Sequence, residues 1–265
     1  MNNRPIGVFD SGLGGLTVVK ALKKILPNER ILYFGDTARL PYGVKSRDLI
    51  IQYSMQIAKF LIKNDAKMII IACNTATAMA LEILKNNFTD TPIIGVIEAG
   101  SVQASLDSKN KKIGVIGTVA TINSKAYDIS LSLIDKEIQV FSKECPLFVP
   151  FVEEGMVKGE AVNLIVEHYL SSFKNKIDTI ILGCTHYPIL KPAIKDFIKN
   201  IKLVDSASAV ANHAKSILIK QSLVSELEYP NQIECFVTDL PRKFEKLGEI
   251  FLGEKINHPQ LVDDF

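Results

Sequence analysis

Two cysteines, Cys73 and Cys184, follow apolar segments at equivalent places in the two halves of the chain. A glycine-containing apolar segment lies upstream of each cysteine. Gly7 precedes Cys73 by 66 residues, and Gly114 precedes Cys184 by 70 residues. This internal repeat predicts two similar lobes that face each other and place the two thiols across one cleft.

A pair of opposed thiols can invert a carbon centre. One thiolate removes a proton from the carbon, and the opposite thiol returns a proton to the other face, if both have pKa values near the working pH. Both cysteines lie at predicted strand ends where a helix begins, a position that favours a thiolate. Asp10 and His186 lie beside the first and second half-sites and are candidates for adjusting the pKa of each thiol.

Each of these residues also has a structural interpretation. A cysteine at the end of an apolar strand is usually a packing residue, although the repeat argues against this role for both cysteines. Asp10 could belong to a turn or cap a helix, and His186 could be solvated or satisfied in the core. A second class of function is a thiol-based redox sensor or a small-anion-binding protein. The absence of a Cys-x-x-Cys pair counts against the redox sensor.

Short apolar runs alternate with longer amphipathic stretches along the chain. Runs that are apolar on both faces and are separated by helices predict an α/β fold with parallel sheets covered on both sides. The predicted strands are 6–9, 31–34, 68–72, 93–96, 113–116, 138–141, 179–182, 203–204 and 233–237. The predicted helices are 16–26, 48–63, 76–86, 125–134, 160–173, 188–198, 207–221 and 241–251.

The composition excludes several classes of function. A net charge of +2, from 31 basic and 29 acidic residues, predicts no general attraction to nucleic acid or to an acidic membrane. No apolar run reaches the roughly 18 residues that a spanning helix needs. The N-terminal residues lack the features of a signal peptide, so we expect a cytoplasmic protein without disulfides. The cysteines are too widely spaced to indicate a structural metal site.

The glycine-rich segment 10–16 has a second interpretation, because such a turn between a strand and a helix can cradle phosphate. Its pattern is Gly-x-Gly-Gly, however, and Thr17 occupies the place of the last glycine in a dinucleotide-binding motif. We therefore expect its backbone N–H groups to approach a small anion.

Together, six motifs resemble those of the glutamate racemase family. They occur in the family's order and extend over most of the chain, from residue 5 to about residue 209. The motifs are 10–17, 38–43, 72–76, 117–121, 145–153 and 182–188.

The resemblance implies a racemase that needs no cofactor and supplies D-glutamate for peptidoglycan synthesis. It implies that Cys73 and Cys184 are the two bases, assisted by Asp10, Glu153 and His186. The pattern alone leaves open that the paired acids at 153 and 154 form a solvated helical turn. The family pattern favours the first of them.

The resemblance also implies a set of substrate-binding residues and an arrangement of lobes. One lobe should comprise residues 1–96 and 209–265, the other residues 97–208, with the active site in the cleft between them. Proteins of this kind are often dimers, so we expect a homodimer. The implied substrate-binding residues are Asp10, Ser11, Pro41, Tyr42, Gly43, Asn74, Thr75, Thr118, Thr121, Thr185 and His186.

The sequence leaves two other hypotheses for a racemase. Aspartate racemase or a related cysteine-pair isomerase would carry similar motifs, because residue types do not reveal the length of the substrate side chain. Racemisation through pyridoxal phosphate would need a lysine for the Schiff base, and the motifs that contain the two cysteines hold none.

Overall fold

The structure is a computed structural model that describes residues 3–226, 232–239, 244–256 and 258–263. Its strands are β1 (Ile6–Asp10), β2 (Ile31–Gly35), β3 (Met68–Ile71), β4 (Ile93–Gly95), β5 (Lys112–Gly117), β6 (Gln139–Glu144), β7 (Thr179–Gly183), β8 (Lys202–Asp205), β9 (Ile233–Val237) and β10 (Gln260–Leu261). Its helices are α1 (Leu16–Ile25), α2 (Arg47–Lys63), α3 (Asn74–Asn87), α4 (Val96–Asp107), α5 (Val119–Asn123), α6 (Ala126–Ile134), α7 (Phe148–Glu153), α8 (Glu160–Leu170), α9 (Lys191–Phe197), α10 (Ser206–Lys220) and α11 (Phe244–Leu252).

These strands form two sheets, and every strand pair within them is parallel. The first sheet has the order β10-β9-β2-β1-β3-β4, and the second has the order β6-β5-β7-β8. The order β2-β1-β3-β4 is therefore repeated by β6-β5-β7-β8, strand for strand. The predicted α/β class and the predicted duplication of the two halves are both confirmed.

The first sheet is buried on both faces, as its apolar strands predict. In β3, Met68 and Ile70 belong to one hydrophobic cluster, while Ile69 and Ile71 belong to another. Successive side chains of a strand point to opposite faces, so the two clusters lie on opposite sides of the sheet. Parallel strands must be joined by crossover connections, and the helices in these connections cover both faces of the sheet.

Strand register places the chemically interesting residues at matching sheet edges. Phe9 of β1 pairs with Ile71 of β3, so Asp10 and Cys73 both follow at the carboxyl edge of the first sheet. Gly117 of β5 pairs with Gly183 of β7, so Thr118 and Cys184 follow at the corresponding edge of the second. Ligands of open parallel sheets bind beyond such edges.

Each predicted helix and strand lies close to an observed one, but several boundaries and short elements differ. Helix α4 was not predicted, and it begins at Val96, the last residue of the predicted strand 93–96. Helix α4 packs against α6 and α10, but its exposed face includes the apolar residues Val102 and Leu106, so it shows little amphipathic periodicity. Helices α5 and α7 and strand β10 were also missed, and all three are short.

Three predicted helices differ in detail. The predicted helix 160–173 is α8, Glu160–Leu170, followed by the 3₁₀ turn Ser171–Phe173. The predicted helix 188–198 is a 3₁₀ turn, Tyr187–Leu190, followed by the short helix α9. Residues 241–243 of the predicted helix 241–251 lie outside the described residues. Within the described ranges, no helix combines the length and apolar character needed to cross a membrane.

Candidate active site

A cavity between the carboxyl edges of the two sheets holds both cysteines. Cys73 is 6% exposed and Cys184 is 8% exposed, and both line this cavity. Twelve of the fourteen residues singled out in the sequence line it: Ser11, Pro41, Tyr42, Gly43, Cys73, Asn74, Thr75, Thr118, Glu153, Cys184, Thr185 and His186. The other two, Asp10 and Thr121, lie behind this lining.

Cys73 is held at the start of a helix. It is the N-cap residue of α3, and its Sγ accepts a hydrogen bond from the backbone N–H of Ala76 at 3.4 Å. Its thiol donates to Oγ of Ser11 at 3.8 Å. Burial raises the pKa of Cys73 to about 12, and the negative charge of Asp10 adds to this effect. At neutral pH Cys73 is therefore a neutral thiol, suited to donate a proton.

Cys184 belongs to a chain of titratable groups that reaches toward solvent. Nδ1 of His186 lies 3.9 Å from Cys184 Sγ, and Nε2 of His186 lies 3.2 Å from Oε1 of Glu153 at the end of α7. Burial alone lowers the pKa of His186, but the interactions with Cys184 and Glu153 outweigh it and raise the pKa to about 10. A protonated His186 stabilises a negative charge on Cys184, so this half-site is suited to accept a proton.

Asp10 supports the site from below the surface of the cavity. Its carboxylate is fully buried and accepts hydrogen bonds from the backbone N–H of Gly12 at 3.2 Å and from Oγ1 of Thr185 at 3.4 Å. Burial raises its pKa, an effect that the nearby His186 opposes. Asp10 thus fixes the glycine-rich turn against Thr185, which follows the second sheet.

The approach of this turn to Thr185 is unusually close. A Cβ atom at Gly14 would lie 2.2 Å from Thr185 Oγ1 and 2.7 Å from His186 Nδ1. The glycine therefore permits the turn to contact the Cys184 half-site.

A cluster of threonine hydroxyls joins the two halves of the site. Oγ1 of Thr75, on α3, lies 3.0 Å from that of Thr118 and 3.1 Å from that of Thr121, on α5. The last two hydroxyls lie 3.0 Å apart. Three hydroxyls beside the N-terminus of α3 provide hydrogen-bond donors for a carboxylate.

The segment that carries Pro41, Tyr42 and Gly43 is fixed by a buried carboxylate that the sequence analysis did not single out. The hydroxyl of Tyr42 donates to Oδ2 of Asp36 at 2.5 Å, and Thr238 donates to Oδ1 at 2.9 Å. Asp36 directly follows β2 as Asp10 ends β1, and this shared place at a strand end is the signal that could have identified it.

Four residues that line the cavity were not singled out, although each lies inside a quoted motif: Gly12, Leu40, Val149 and Gly183. They contribute backbone or apolar surface, which carries no chemical signal in a sequence. Among the described residues, no group of three or more His, Cys, Asp or Glu side chains is arranged to hold a metal ion.

Comparison with known proteins agrees with this geometry. The Asp/Glu/Hydantoin racemase family model matches residues 6–214. A glutamate racemase of Aquifex aeolicus is 47% identical over 259 residues, 98% of each chain. One of Chlorobaculum parvum is 46% identical over 97% of this chain and 96% of its own.

A crystal structure of glutamate racemase from Francisella tularensis in complex with D-glutamate superposes with a TM-score of 0.93. It is 46% identical, and the match covers 99% of this chain and 98% of that one. The fold, the shared motifs and these similarities together show that the chain belongs to the Asp/Glu/Hydantoin racemase family, as one of its glutamate racemases.

Proposed function

We propose that the enzyme interconverts L- and D-glutamate by moving protons between the α-carbon and two cysteines, Cys73 and Cys184. The observation that carries this proposal is that two buried thiols, one from each sheet, line a single cavity in different electrostatic settings. Cys73 is a neutral thiol beside a buried carboxylate, whereas Cys184 is paired with His186.

This difference supports a division of labour within each turnover. In one direction Cys184, beside the imidazole of His186, removes the α-proton while the Cys73 thiol protonates the opposite face. In the other direction the roles exchange, so each cysteine must be able to act as acid and as base. The α-ammonium group of an amino acid bound near Cys73 would lower the pKa of that thiol, because an opposite charge favours the thiolate.

Neutral donors are well placed to hold the two carboxylates of the substrate. The lining residues include no lysine or arginine. Hydroxyls of Ser11, Thr75, Thr118 and Thr185, the amide of Asn74 and the backbone N–H groups at the start of α3 supply the hydrogen bonds. Thr121 acts through Thr75 and Thr118. The D-glutamate in the Francisella tularensis structure supports glutamate as the substrate.

We assign the acid–base support to three residues close to the thiols. Glu153 and His186 serve Cys184, and Asp10 holds Thr185 in place. Pro41, Tyr42 and Gly43 also line the cavity, and we assign them to substrate binding, as the resemblance implies.

The wider role follows from the family. We propose that the enzyme supplies D-glutamate for peptidoglycan synthesis in the cytoplasm and that it acts as a homodimer. The lobe boundaries 1–96 with 209–265, and 97–208, are supported by the sheets, because every described strand of the first sheet lies in the former and every strand of the second lies in the latter.

Incubation with pure L-glutamate in deuterated water tests the reaction. Two-base transfer predicts that D-glutamate carries solvent deuterium at the α-carbon from its first appearance, while unreacted L-glutamate initially keeps its hydrogen. Racemisation without deuterium in the product would contradict the proposal. Loss of optical signal with L-aspartate but not with L-glutamate would instead assign the aspartate activity.

A further inference from the structure

A tyrosine on the helix between β5 and β6 hydrogen-bonds to a residue of the first half-site. Tyr127, on α6, is 2% exposed, and its hydroxyl donates to Oδ1 of Asn74 at 2.6 Å. The same hydroxyl lies 3.3 Å from Oγ of Ser206. Asn74 is the first residue of α3, follows Cys73 directly and lines the cavity. Tyr127 does not line the cavity.

The hydrogen bond from Tyr127 determines what Asn74 can offer to a ligand. An asparagine amide has one acceptor end and one donor end. The oxygen is occupied by Tyr127, and within the described part of the chain the amide nitrogen has no hydrogen-bond partner. Because Asn74 lines the cavity, this amide nitrogen is available to donate to a ligand there.

Tyr127 is suited to act as a permanent donor. Burial raises the pKa of its hydroxyl above the usual value, with a contribution from the negative charge of Cys184. The hydroxyl therefore keeps its proton throughout the pH range in which the enzyme would work. Ser206 Oγ can donate to the phenol oxygen, and the Tyr127 proton is then directed at Oδ1, which favours the amide orientation with its oxygen toward Tyr127.

The surrounding backbone leaves room for this contact. A Cβ atom at Gly183, directly before Cys184, would lie 3.1 Å from Cε2 of Tyr127 and 2.7 Å from the carbonyl oxygen of Ile116. The tyrosine ring thus occupies space that any larger residue at position 183 would take. One glycine brings the second sheet, the ring and the Cys184 half-site together.

We propose that Tyr127 is a positioning residue for glutamate binding: it fixes the Asn74 amide so that its NH₂ group faces the cavity and donates to a substrate carboxylate. This inference rests on the proposed function. It also means that the orientation of Asn74 is set from the opposite half of the molecule, so this binding group is complete only when the two halves are in contact.

The variant Tyr127→Phe tests the proposal because it removes the hydroxyl and keeps the ring. Loss of one neutral hydrogen bond predicts a rise in KM of about three- to tenfold for both enantiomers, with little change in kcat. Tyr169→Phe is the matched control, since it removes a buried hydroxyl from the same half of the chain, away from the cavity. An unchanged KM in Tyr127→Phe would refute the proposal.

A double-mutant cycle separates positioning from general stability. If Tyr127 acts through Asn74, then Tyr127→Phe should add no further increase in KM once Asn74→Ala is present. Additive increases would show that Tyr127 acts independently of Asn74 and would overturn the inference. A wild-type enzyme that racemises neither glutamate nor aspartate would instead refute the proposed function. Failure of the inference about Tyr127 and failure of the proposed function are therefore distinguishable.

A second variant keeps the proposal testable if Tyr127→Phe does not fold. In Asn74→Asp, one carboxylate oxygen can still accept from Tyr127, and the other replaces the NH₂ group with a negative charge. The dissociation constant for D-glutamate, measured by calorimetry, should then be larger than in Asn74→Ala. Binding by Asn74→Asp as tight as in the wild type would show that Asn74 presents an acceptor, contrary to the proposal.

Discussion

The variant Glu153→Gln should lower the pKa of His186 while leaving the fold intact. In the wild type, Nε2 of His186 lies 3.2 Å from Oε1 of Glu153, and the pKa of the buried imidazole is raised to about 10. Glutamine keeps the size and one hydrogen-bonding oxygen of the side chain but removes its charge. The substitution therefore isolates the electrostatic part of the contact.

The expected magnitude follows from the burial of the two partners. A hydrogen bond to a charged group contributes about 1.5–3 kcal/mol, and one pH unit of pKa shift corresponds to about 1.4 kcal/mol. The Glu153 side chain is one-third exposed, so solvent screening favours the lower end of this range. The pKa of His186 should fall by about one pH unit, the remaining increase being due to Cys184.

This change has a defined effect on stability. The folded pKa of His186 lies above its unfolded value near 6.5, so the stabilisation is complete below about pH 6.5 and is lost as the pH rises through 10. Glu153→Gln should therefore be less stable than the wild type at pH 7 by about 1.4 kcal/mol, with the difference disappearing above about pH 10.

Titration of the histidine ring protons by NMR measures this pKa directly, with His186→Asn used to assign the resonance. Glu154→Gln is the control, because it removes the same charge one residue further along the chain. A wild-type pKa near 6.5, or an equal decrease in both glutamine variants, would refute the reasoning.

Two other substitutions test how the site and the sheet are held. In Gly14→Ala, the added Cβ would lie 2.2 Å from Thr185 Oγ1, so Thr185 or the turn must move. Displacing a group in an active site by about 1 Å can lower the rate about a hundredfold, and we expect kcat/KM to fall by about this factor. Steady-state kinetics would measure the loss, and a near-wild-type rate would contradict the close approach. Lys67→Met should lower Tm by roughly 10 °C, because it leaves the carboxylate of Glu29 buried without its partner at 2.6 Å. Calorimetry would measure the decrease in Tm, and an unchanged Tm would show that the Lys67–Glu29 ion pair does not stabilise the fold.

The sequence predicted parallel sheets in two similar lobes because the relevant signals are local. Apolar runs mark strands that are buried on both faces, and the repeat of Cys73 and Cys184 implied equivalent strand ends. Because neighbouring parallel strands end at the same edge of a sheet, this was enough to predict that the residues after these strands lie close together. The cluster around the cavity was predicted from family motifs, and the functional roles of its members remain predictions.

Contacts between the halves could not be predicted in the same way. Asp10 was expected to support Cys73, but the hydrogen bond from Thr185 to its carboxylate, which joins residues distant in sequence, was not predicted. Helix α4 was missed because its exposed face mixes polar residues with Val102 and Leu106 and therefore gives no clear amphipathic pattern. The contact between Tyr127 and Asn74 joins residues from opposite halves, and no pattern along the chain marks it.

Isotope exchange by the single variants Cys73→Ala and Cys184→Ala tests the two-cysteine reaction most directly. Each variant retains one thiol on one side of the α-carbon. We expect neither to racemise glutamate at a significant rate, and we expect each to exchange the α-hydrogen of a different enantiomer with deuterated water. Racemisation near the wild-type rate by both variants, or exchange of the same enantiomer by both, would contradict the proposal that the thiols act from opposite faces.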